Sequence, residues 1–600
     1  MNTKELYLER LNKYGSIVEK LNKLSERLST ARLVTFIAGF LATILAFVYL
    51  NSLYGFITLL VSLVLFIYMV VKHQKVIDEA ARYSNLVEIN RRCILRTDGS
   101  WMDFKDGGQK YINPEHPYSG DLDIFGHASL FKWINTANTY YGNEALRHLL
   151  EGPEKELEKI KRRQGAVKEL AEKIDFCQNV QCEGMIVPDV LNDPEELLKF
   201  AEDKSKLFGR KLTAQIFYIM PELTMLSIVI CFFDRTVSAY IPLFLLMVQL
   251  IINIIGFGKT KTILVTVNNY KKRIKAYQKM LEVIENQDFK DEYLTELKSR
   301  LFSKGKPSSS QIKSLEKIAE AIDLGDGSVV ALILNLLVFW NFHCVFALEN
   351  WREKSGTSIR TWLNTVGMFE ALSSLALISQ MNPDWAFPAF TNKKVSIAAE
   401  RMGHPLIHEN KRISNSVEID NRICVVTGSN MSGKTTLLRT IGINLVLAYA
   451  GTAVCAGKFE CSIMDIYTSM RVSDDLSGGI STFYAELLRI KKIIEYSKKR
   501  EPMIFLIDEV FRGTNSRDRV IGARNVVLNL DRDWIMGLIS THDFELCELE
   551  KGKDSRIVNY HFTETYDKDE IKFDYVLRHG RCSTTNARYL MKMVGIDIMD

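Results

Sequence analysis

Net charge is scarce in this chain: 77 lysines and arginines against 72 acids leave +5 over 600 residues, too little to imply a polyanionic partner and too little to exclude one. Clustered cysteines are lacking as well. The ten cysteines are scattered, and the closest pair, Cys177 and Cys182, has no companions at metal-ligand spacing. That sets aside a zinc site or a disulfide framework and fits reduced thiols in a cytosolic compartment. A cleaved leader is not expected either. The residues before Leu33 are polar, with Leu6, Leu11, Leu21, Leu24 and Leu28 spaced as on an amphipathic helix. The length exceeds what one hydrophobic core serves, so several domains are expected.

Charge is absent altogether from 33–50, LVTFIAGFLATILAFVYL, and from 56–71, FITLLVSLVLFIYMVV. Each run is near the minimum length that spans a bilayer. Arg27 and Arg32 precede the pair, Lys72, His73 and Lys75 follow it, and the turn NSLYG is uncharged, the pattern of two helices with both ends in the cytoplasm. A second pair, 214–233 and 239–258, repeats this between Arg210, Lys211 and Lys259, Lys261, with Pro221 and Glu222 inside its first run. Buried helices of a soluble core would be equally apolar, and that alternative weighs more for the second pair. The run 329–347 carries Asn335, Asn341 and His343, which would need partners in lipid, so it is expected to be a core helix. The expected order is a cytoplasmic amphipathic helix over 1–32, a transmembrane hairpin over 33–71, a helical region over 76–210, a second transmembrane hairpin over 214–258, a helical region over 262–400 and an α/β domain over 401–600. Residues 262–302 suggest one long charged helix. The whole would be a multi-pass membrane protein in contact with lipid, with every large segment cytoplasmic.

Past residue 400 short apolar strands end on polar tips. Ile423-Cys-Val-Val426 is followed by Gly428-x4-Gly433-Lys434-Thr435 and a helical run from Thr436, the strand, glycine loop and helix of a phosphate-binding loop. Glycines let backbone N–H groups wrap phosphates, and a helix N-terminus adds partial positive charge. Lys434 is placed for the β and γ phosphates and Thr435 for magnesium. The ATP-binding stretch is therefore expected to comprise Gly428, Ser429, Asn430, Met431, Ser432, Gly433, Lys434, Thr435 and Thr436, with ATP and Mg2+ as cofactors. Met503-Ile-Phe-Leu-Ile-Asp508-Glu509 is another apolar strand, ending in two carboxylates that are costly side by side without a cation. Asp508 would hold magnesium with Thr435, and Glu509 would orient the attacking water. A third strand from Trp534 delivers His542. Alone it would more often be a core histidine; its place after both nucleotide motifs favours a catalytic role near the γ phosphate. Between these motifs Ser477, Gly478, Gly479 and Ser481 precede a helix. They form a second anion cradle, for which action in trans on a partner's nucleotide is the economical expectation.

Four ordered stretches, TGSNMSGKTTLLRT, SMRVSDDLSGGISTFYAEL, FLIDEVFRGTNSRD and STHDFELCELE, resemble the ATPase domain of the MutS family of DNA mismatch repair proteins. Upstream, Asp121-Leu-Asp-Ile-Phe-Gly126, Ser129-Leu-Phe131, Thr139, Gly142 and Arg163-Gln164 look like the start of that family's helical lever. Gly403-His404-Pro405 with Asn415 looks like the entry to its ATPase. The resemblance implies an α/β P-loop ATPase of the ABC/MutS type behind an all-α lever. It also implies a homodimer through the ATPase domain, DNA as a partner, and the roles given above at the matched positions, with Ser477, Gly478, Gly479 and Ser481 completing the partner's site. Leu476-Ser-Gly-Gly479 also matches the signature of transporter ATPases, but some thirty residues separate it from Asp508. The chain departs from mismatch-recognising members where a globular wedge domain would stand. Its Phe-x-Glu triplets, Phe200-Ala-Glu202 and Phe562-Thr-Glu564, are expected to be chance. No DNA-clamp domain or extra dimerisation helices are evident. The expected function is a membrane-anchored MutS-like ATPase that handles DNA without the wedge; the alternative is an ABC-like membrane-remodelling or signalling ATPase that does not bind DNA.

Overall fold

The computed structural model describes residues 3–582 except 153, 187–192, 204–210, 235–237, 304, 326–328, 472–481, 512–513, 552–554 and 568–569. Two helices, α1 (Thr3–Tyr49) and α2 (Ser52–Thr97), form an antiparallel hairpin. Asn51 reverses the chain with extended backbone, and its side chain accepts from the Tyr54 N–H, capping α2. At about 1.5 Å per residue each helix is about 70 Å long, more than twice a bilayer's hydrocarbon core, and the two helices divide their length between two environments. From Leu33 to Val71 the large apolar side chains face outward with nothing covering them. Only the seam is packed, with Phe36 against Phe66 and Phe47 against Phe56. The polar halves instead dock on the protein. Arg82 donates to Glu183 and Asn179, both at 2.9 Å, Asn90 and Gln178 exchange amide hydrogen bonds, and Tyr7 and Cys93 are buried in the main core. Helix α1 therefore runs through residue 32, and α2 through 71–76, without a break.

The helical region expected to be a lever assembles around α15 (Ile359–Met381), most of whose residues are buried. Against it lie α4 (Tyr140–Glu151), α5 (Leu157–Glu172) and α6 (Ile174–Gly184), preceded by the short α3 (Leu130–Ile134); α7 (Glu195–Glu202) follows. Glu370 of α15 is buried and accepts from the Asn138 N–H at 2.7 Å and from the Thr139 hydroxyl, which also caps α4. Burial pushes its carboxyl up to about 7. Phe200 of α7 packs against the core under the Arg352 guanidinium, and Glu202 pairs with Arg360 at 2.8 Å. The first Phe-x-Glu triplet is thus an internal contact.

A second hairpin, α8 (Lys211–Phe233) and α9 (Tyr240–Asn269), is cross-linked by Gln249 Nε2 donating to Thr224 Oγ1 at 3.0 Å. Its outer faces are apolar and uncovered, whereas Leu264, Val267 and Tyr270 carry α9 into the lever core. The single helix expected over 262–302 is not present. The chain turns at Tyr270 into α10 (Lys271–Asn286), breaks again at Gln287, and resumes as α11 (Glu292–Ser299) behind the Asp291 cap, which accepts from the Tyr293 and Leu294 N–H groups. After a short strand hairpin comes α12 (Ser308–Leu324). The run 329–347 is likewise not one core helix. Phe339 takes a left-handed backbone (φ 52°) to bury its ring against Phe217 and Phe342, splitting the run into α13 (Val329–Val338) and α14 (Trp340–Ser355). Val330, Leu332 and Ile333 of α13 are left facing outward. Among the described residues three helices are long and apolar enough to cross a membrane, or five if each of two bent pairs counts as one span.

The C-terminal domain is built on a six-stranded sheet in the order Arg578–His579, Ile557–His561, Ile423–Thr427, Ile535–Thr541, Met503–Asp508, Asp465–Ser469. All neighbours are parallel except the first pair. Helices α16 (Lys434–Ala450), α17 (Thr482–Ser497) and α18 (Ser516–Leu530) accompany it, and both faces are covered, as near-continuous apolar strands require. A four-stranded sheet that includes Ser396–Met402 and Asn415–Asp420 stands at the domain's entry.

Candidate nucleotide site

Parallel pairing aligns the strand ends. Thr541 lies opposite Thr427 and Ser540 opposite Asp508, so the three loops that follow converge at the carboxyl edge of the sheet, where open α/β sheets bind ligands. After Thr427 the loop turns through Gly428 (φ 151°) and Gly433 (φ 105°), conformations that favour glycine. A Cβ on Gly428 would lie 2.8 Å from Ser432 Oγ and one on Gly433 3.1 Å from the Tyr575 ring, so side chains there would fill the cradle. Helix α16 starts at Lys434 and points its N-terminus into the loop.

Lys434 is buried, and its Nζ donates to the carbonyls of Gly428 and Ser429 at 2.9 Å, with His542 Nε2 at 3.4 Å. Thr435 Oγ1 donates to Asp508 Oδ2 at 2.9 Å, and the Ser540 hydroxyl donates to Asp508 Oδ1. Glu509 adopts a left-handed backbone (φ 53°), its N–H donates to the Ser540 carbonyl at 3.1 Å, and its Oε1 lies 2.6 Å from His542 Nε2. The next residue, Asp543, is clamped by both guanidinium arms of Arg519, which fixes the loop carrying His542. Thr435, Asp508, Glu509, Lys434 and His542 thus form one contiguous group.

The loop opens on a cleft of about 490 Å³, lined by Asn430, Met431, Ser432, Gly433, Thr436 and Glu509 on one side and by His404, Ile413, Phe562 and Tyr575 on the other. Ser432 Oγ is buried and has no hydrogen-bond partner among the described residues. Met431 is 83 % exposed with φ 66°. His404 is held near 4, chiefly by burial and then by the nearby Arg439 and Arg412 charges, so its ring is neutral at pH 7. Asn415 holds the Tyr575 segment across the cleft, donating to the Tyr575 carbonyl at 3.0 Å and accepting from the Leu577 N–H at 2.8 Å. An unpartnered hydroxyl, a buried lysine and a hard oxygen pair at Thr435 and Asp508 fit a nucleoside triphosphate with magnesium, and the partly aromatic wall, which also carries Lys411 and Arg412, fits a base.

Sequence reasoning missed Glu564. Ser429 Oγ donates to Glu564 Oε2 at 2.9 Å, Glu564 is buried, and Phe562 lines the cleft. Phe562 and Glu564 of the second Phe-x-Glu triplet, expected to be a chance likeness to the wedge, stand at this site. Only the parallel pairing of Ile557–His561 beside the phosphate-loop strand brings it there. Asp121, in sequence one residue of a motif, is nearly fully buried at the helical region's contact with this domain. It accepts from Thr468 Oγ1 at 2.7 Å, from the Met470 and Arg471 N–H groups at 3.1 and 3.0 Å, and from Arg489 at 2.8 Å. Asp123 beside it pairs with Arg439 of α16 and with Arg471. Ser477, Gly478, Gly479 and Ser481 lie outside the described residues, between these anchored flanks.

Residues 424–597 match the MutS domain V family. The C-terminal part is 30 % identical over 234 residues to the DNA mismatch repair protein MutS 2 of Halobacterium salinarum, covering 38 % of this chain and 26 % of that protein. It is 29 % identical over 243 residues to the DNA mismatch repair protein MutS of Roseiflexus sp., covering 39 % and 22 %. With the DNA mismatch repair protein MutS of Aquifex pyrophilus the identity is 28 % over 237 residues, covering 38 % and 27 %. The similarity spans about a quarter of the length of these curated relatives.

Proposed function

We propose, from the premise that the C-terminal part of this chain is of the MutS family, that the protein is a membrane-anchored ATPase working as a homodimer. The observation that carries the reading is the contiguous group of Lys434, Thr435, Asp508, Glu509 and His542, of which Lys434, Thr435 and Glu509 line one cleft. Lys434 would exchange the Gly428 and Ser429 carbonyls for phosphate oxygens. Thr435 and Asp508 would open their direct hydrogen bond to hold Mg2+ between them, which supplies charge neutralisation at the β and γ phosphates. Glu509 would leave His542 to orient and deprotonate water, and His542 would face the γ phosphate. Ser477, Gly478, Gly479 and Ser481 of each subunit would complete the other's site. The lever follows through Asp121 and Asp123, which tie it to the strand and helices flanking that segment.

The uncovered apolar faces of both hairpins support the membrane anchor, because such a surface in water would aggregate. DNA enters the proposal from the mismatch-repair names of the relatives, and the proteins named there set no expectation for the helical half. The ABC-like reading without DNA is favoured by one observation, the passage of α9, bent but unbroken in sequence, from an uncovered apolar face into the lever core, which would pass ATPase motion to the bilayer. Mg2+-dependent ATP hydrolysis by the purified full chain, abolished by chelation, tests the enzyme. DNA binding measured against salt separates the two readings, since phosphate contacts give a steep negative slope and a non-binder gives none.

A further inference from the structure

Where the second hairpin enters the lever, two broken helices meet. Helix α9 bends by 65° between Gly256 and Thr260, and the α13 axis turns by 75° into α14 at Phe339. The breaks abut, since a Cβ on Gly256 would come within 2.2 Å of the Phe342 ring. Side-chain amides link the two. Asn253 Nδ2 donates to the Gln249 carbonyl at 3.0 Å and to the Asn335 carbonyl at 2.9 Å, and Asn335 Oδ1 accepts from the Asn341 N–H at 2.9 Å. Beside these two bends the helices enclose a cavity.

That cavity, about 680 Å³, lies between α9, α12, α13 and α14, within the range of small-molecule sites. Its walls are of two kinds. Leu250, Ile254, Val265 and Leu332 are aliphatic and at the same time face outward, Ile254 being 67 % and Leu332 69 % exposed. The cavity therefore opens sideways onto the uncovered apolar surface rather than into water. The second kind is Lys261 and Asn268 of α9, and the sequence continues with Lys271-Lys-Arg273. One acyl chain fits the first wall, and a negatively charged headgroup fits the second.

We infer that this cavity binds an anionic phospholipid, one acyl chain between the broken helices and its phosphate beside Lys261. The site is not needed for nucleotide chemistry, but it rests on the membrane insertion proposed above. The lipid would wedge α9 against α12 and α14, where the hairpin joins the lever, so its occupancy would be felt by both.

The test uses the full chain purified in mild detergent and incubated with phosphatidylglycerol or with phosphatidylcholine, followed by native mass spectrometry. Stoichiometric phosphatidylglycerol should remain on the wild type and be lost from Val265→Trp, which fills the cavity from a half-exposed position. It should be weakened in Lys261→Gln, and phosphatidylcholine should be retained less. Leu332→Trp serves as a second filling variant, and unchanged thermal unfolding shows that each variant is folded. Equal retention of both lipids overturns the anionic headgroup, and retention of phosphatidylglycerol undiminished in folded Val265→Trp and Leu332→Trp overturns the cavity. Carbonate extraction of membranes reads insertion separately: a chain released by carbonate that still retains phosphatidylglycerol in a Val265-dependent way keeps the site and loses the anchor.

Discussion

Thr435 donates its hydroxyl to Asp508 across 2.9 Å, joining the first turn of α16 to the tip of a strand more than seventy residues away in sequence. It is these two oxygens that the proposed function assigns to Mg2+, an ion that takes hard oxygen ligands.

Lys434→Ala should weaken ATP binding, while Glu509→Gln should leave binding intact and trap an ATP-loaded dimer, because one removes a phosphate contact and the other only the group that positions water. Turnover should fall by about 10²-fold or more in each. Nucleotide titration beside size-exclusion chromatography separates them, and equal loss of affinity in both would contradict the assignment.

Glu564→Ala should raise KM for ATP by about tenfold with little change in kcat, since it frees Ser429 and loosens the cradle without touching the groups around the γ phosphate. Steady-state kinetics read this directly. A fall in kcat at constant KM would place Glu564 elsewhere in the mechanism.

Asp121→Asn should leave ATP affinity near that of the wild type and lower kcat, because the carboxylate anchors Arg471 and Arg489 on either side of the 472–481 segment. Leaving Arg489 without its buried partner should also cost about 3–5 kcal/mol of stability. Chemical denaturation checks the second effect and kinetics the first.

Glu370 makes stability depend on pH. Its carboxyl titrates near 4.5 in an unfolded chain and near 7 in the fold, so the folded state binds the extra proton between those values. Stability is therefore highest below about 4.5 from this group and falls as pH rises to 7, by on the order of 3 kcal/mol at most. In Glu370→Gln, whose amide can serve both Asn138 and Thr139, the thermal midpoint should lose that slope. An unchanged slope would mean another group is responsible.

Both turns of the hairpins should face outward. With Cys231 replaced, cysteines introduced at Ser52 and Ser238 should react with a membrane-impermeant maleimide on intact cells, while one at the exposed Ser310 of α12 should not. Labelling at Ser310 would reverse the topology.

The phosphate loop, the paired carboxylates and His542 could be named from sequence because each is local: a glycine spacing, an apolar run and a polar tip within a few residues. So could the apolar runs, since composition along a helix needs no partner. What sequence alone left undecided were the relations between distant segments. Phe562-Thr-Glu564 acquired a place only when Ile557–His561 paired beside Ile423–Thr427. Asp121 became an anchor only when the lever met the domain's edge. The long helix expected over 262–302 yielded to breaks at Tyr270 and Gln287, and that over 329–347 to the buried ring of Phe339, because burying side chains against neighbours outweighs continuing a backbone hydrogen-bond ladder. Local chemistry is written in adjacent residues. Helix breaks and cross-domain contacts depend on which surfaces meet, and that is settled by packing energy summed over the whole fold.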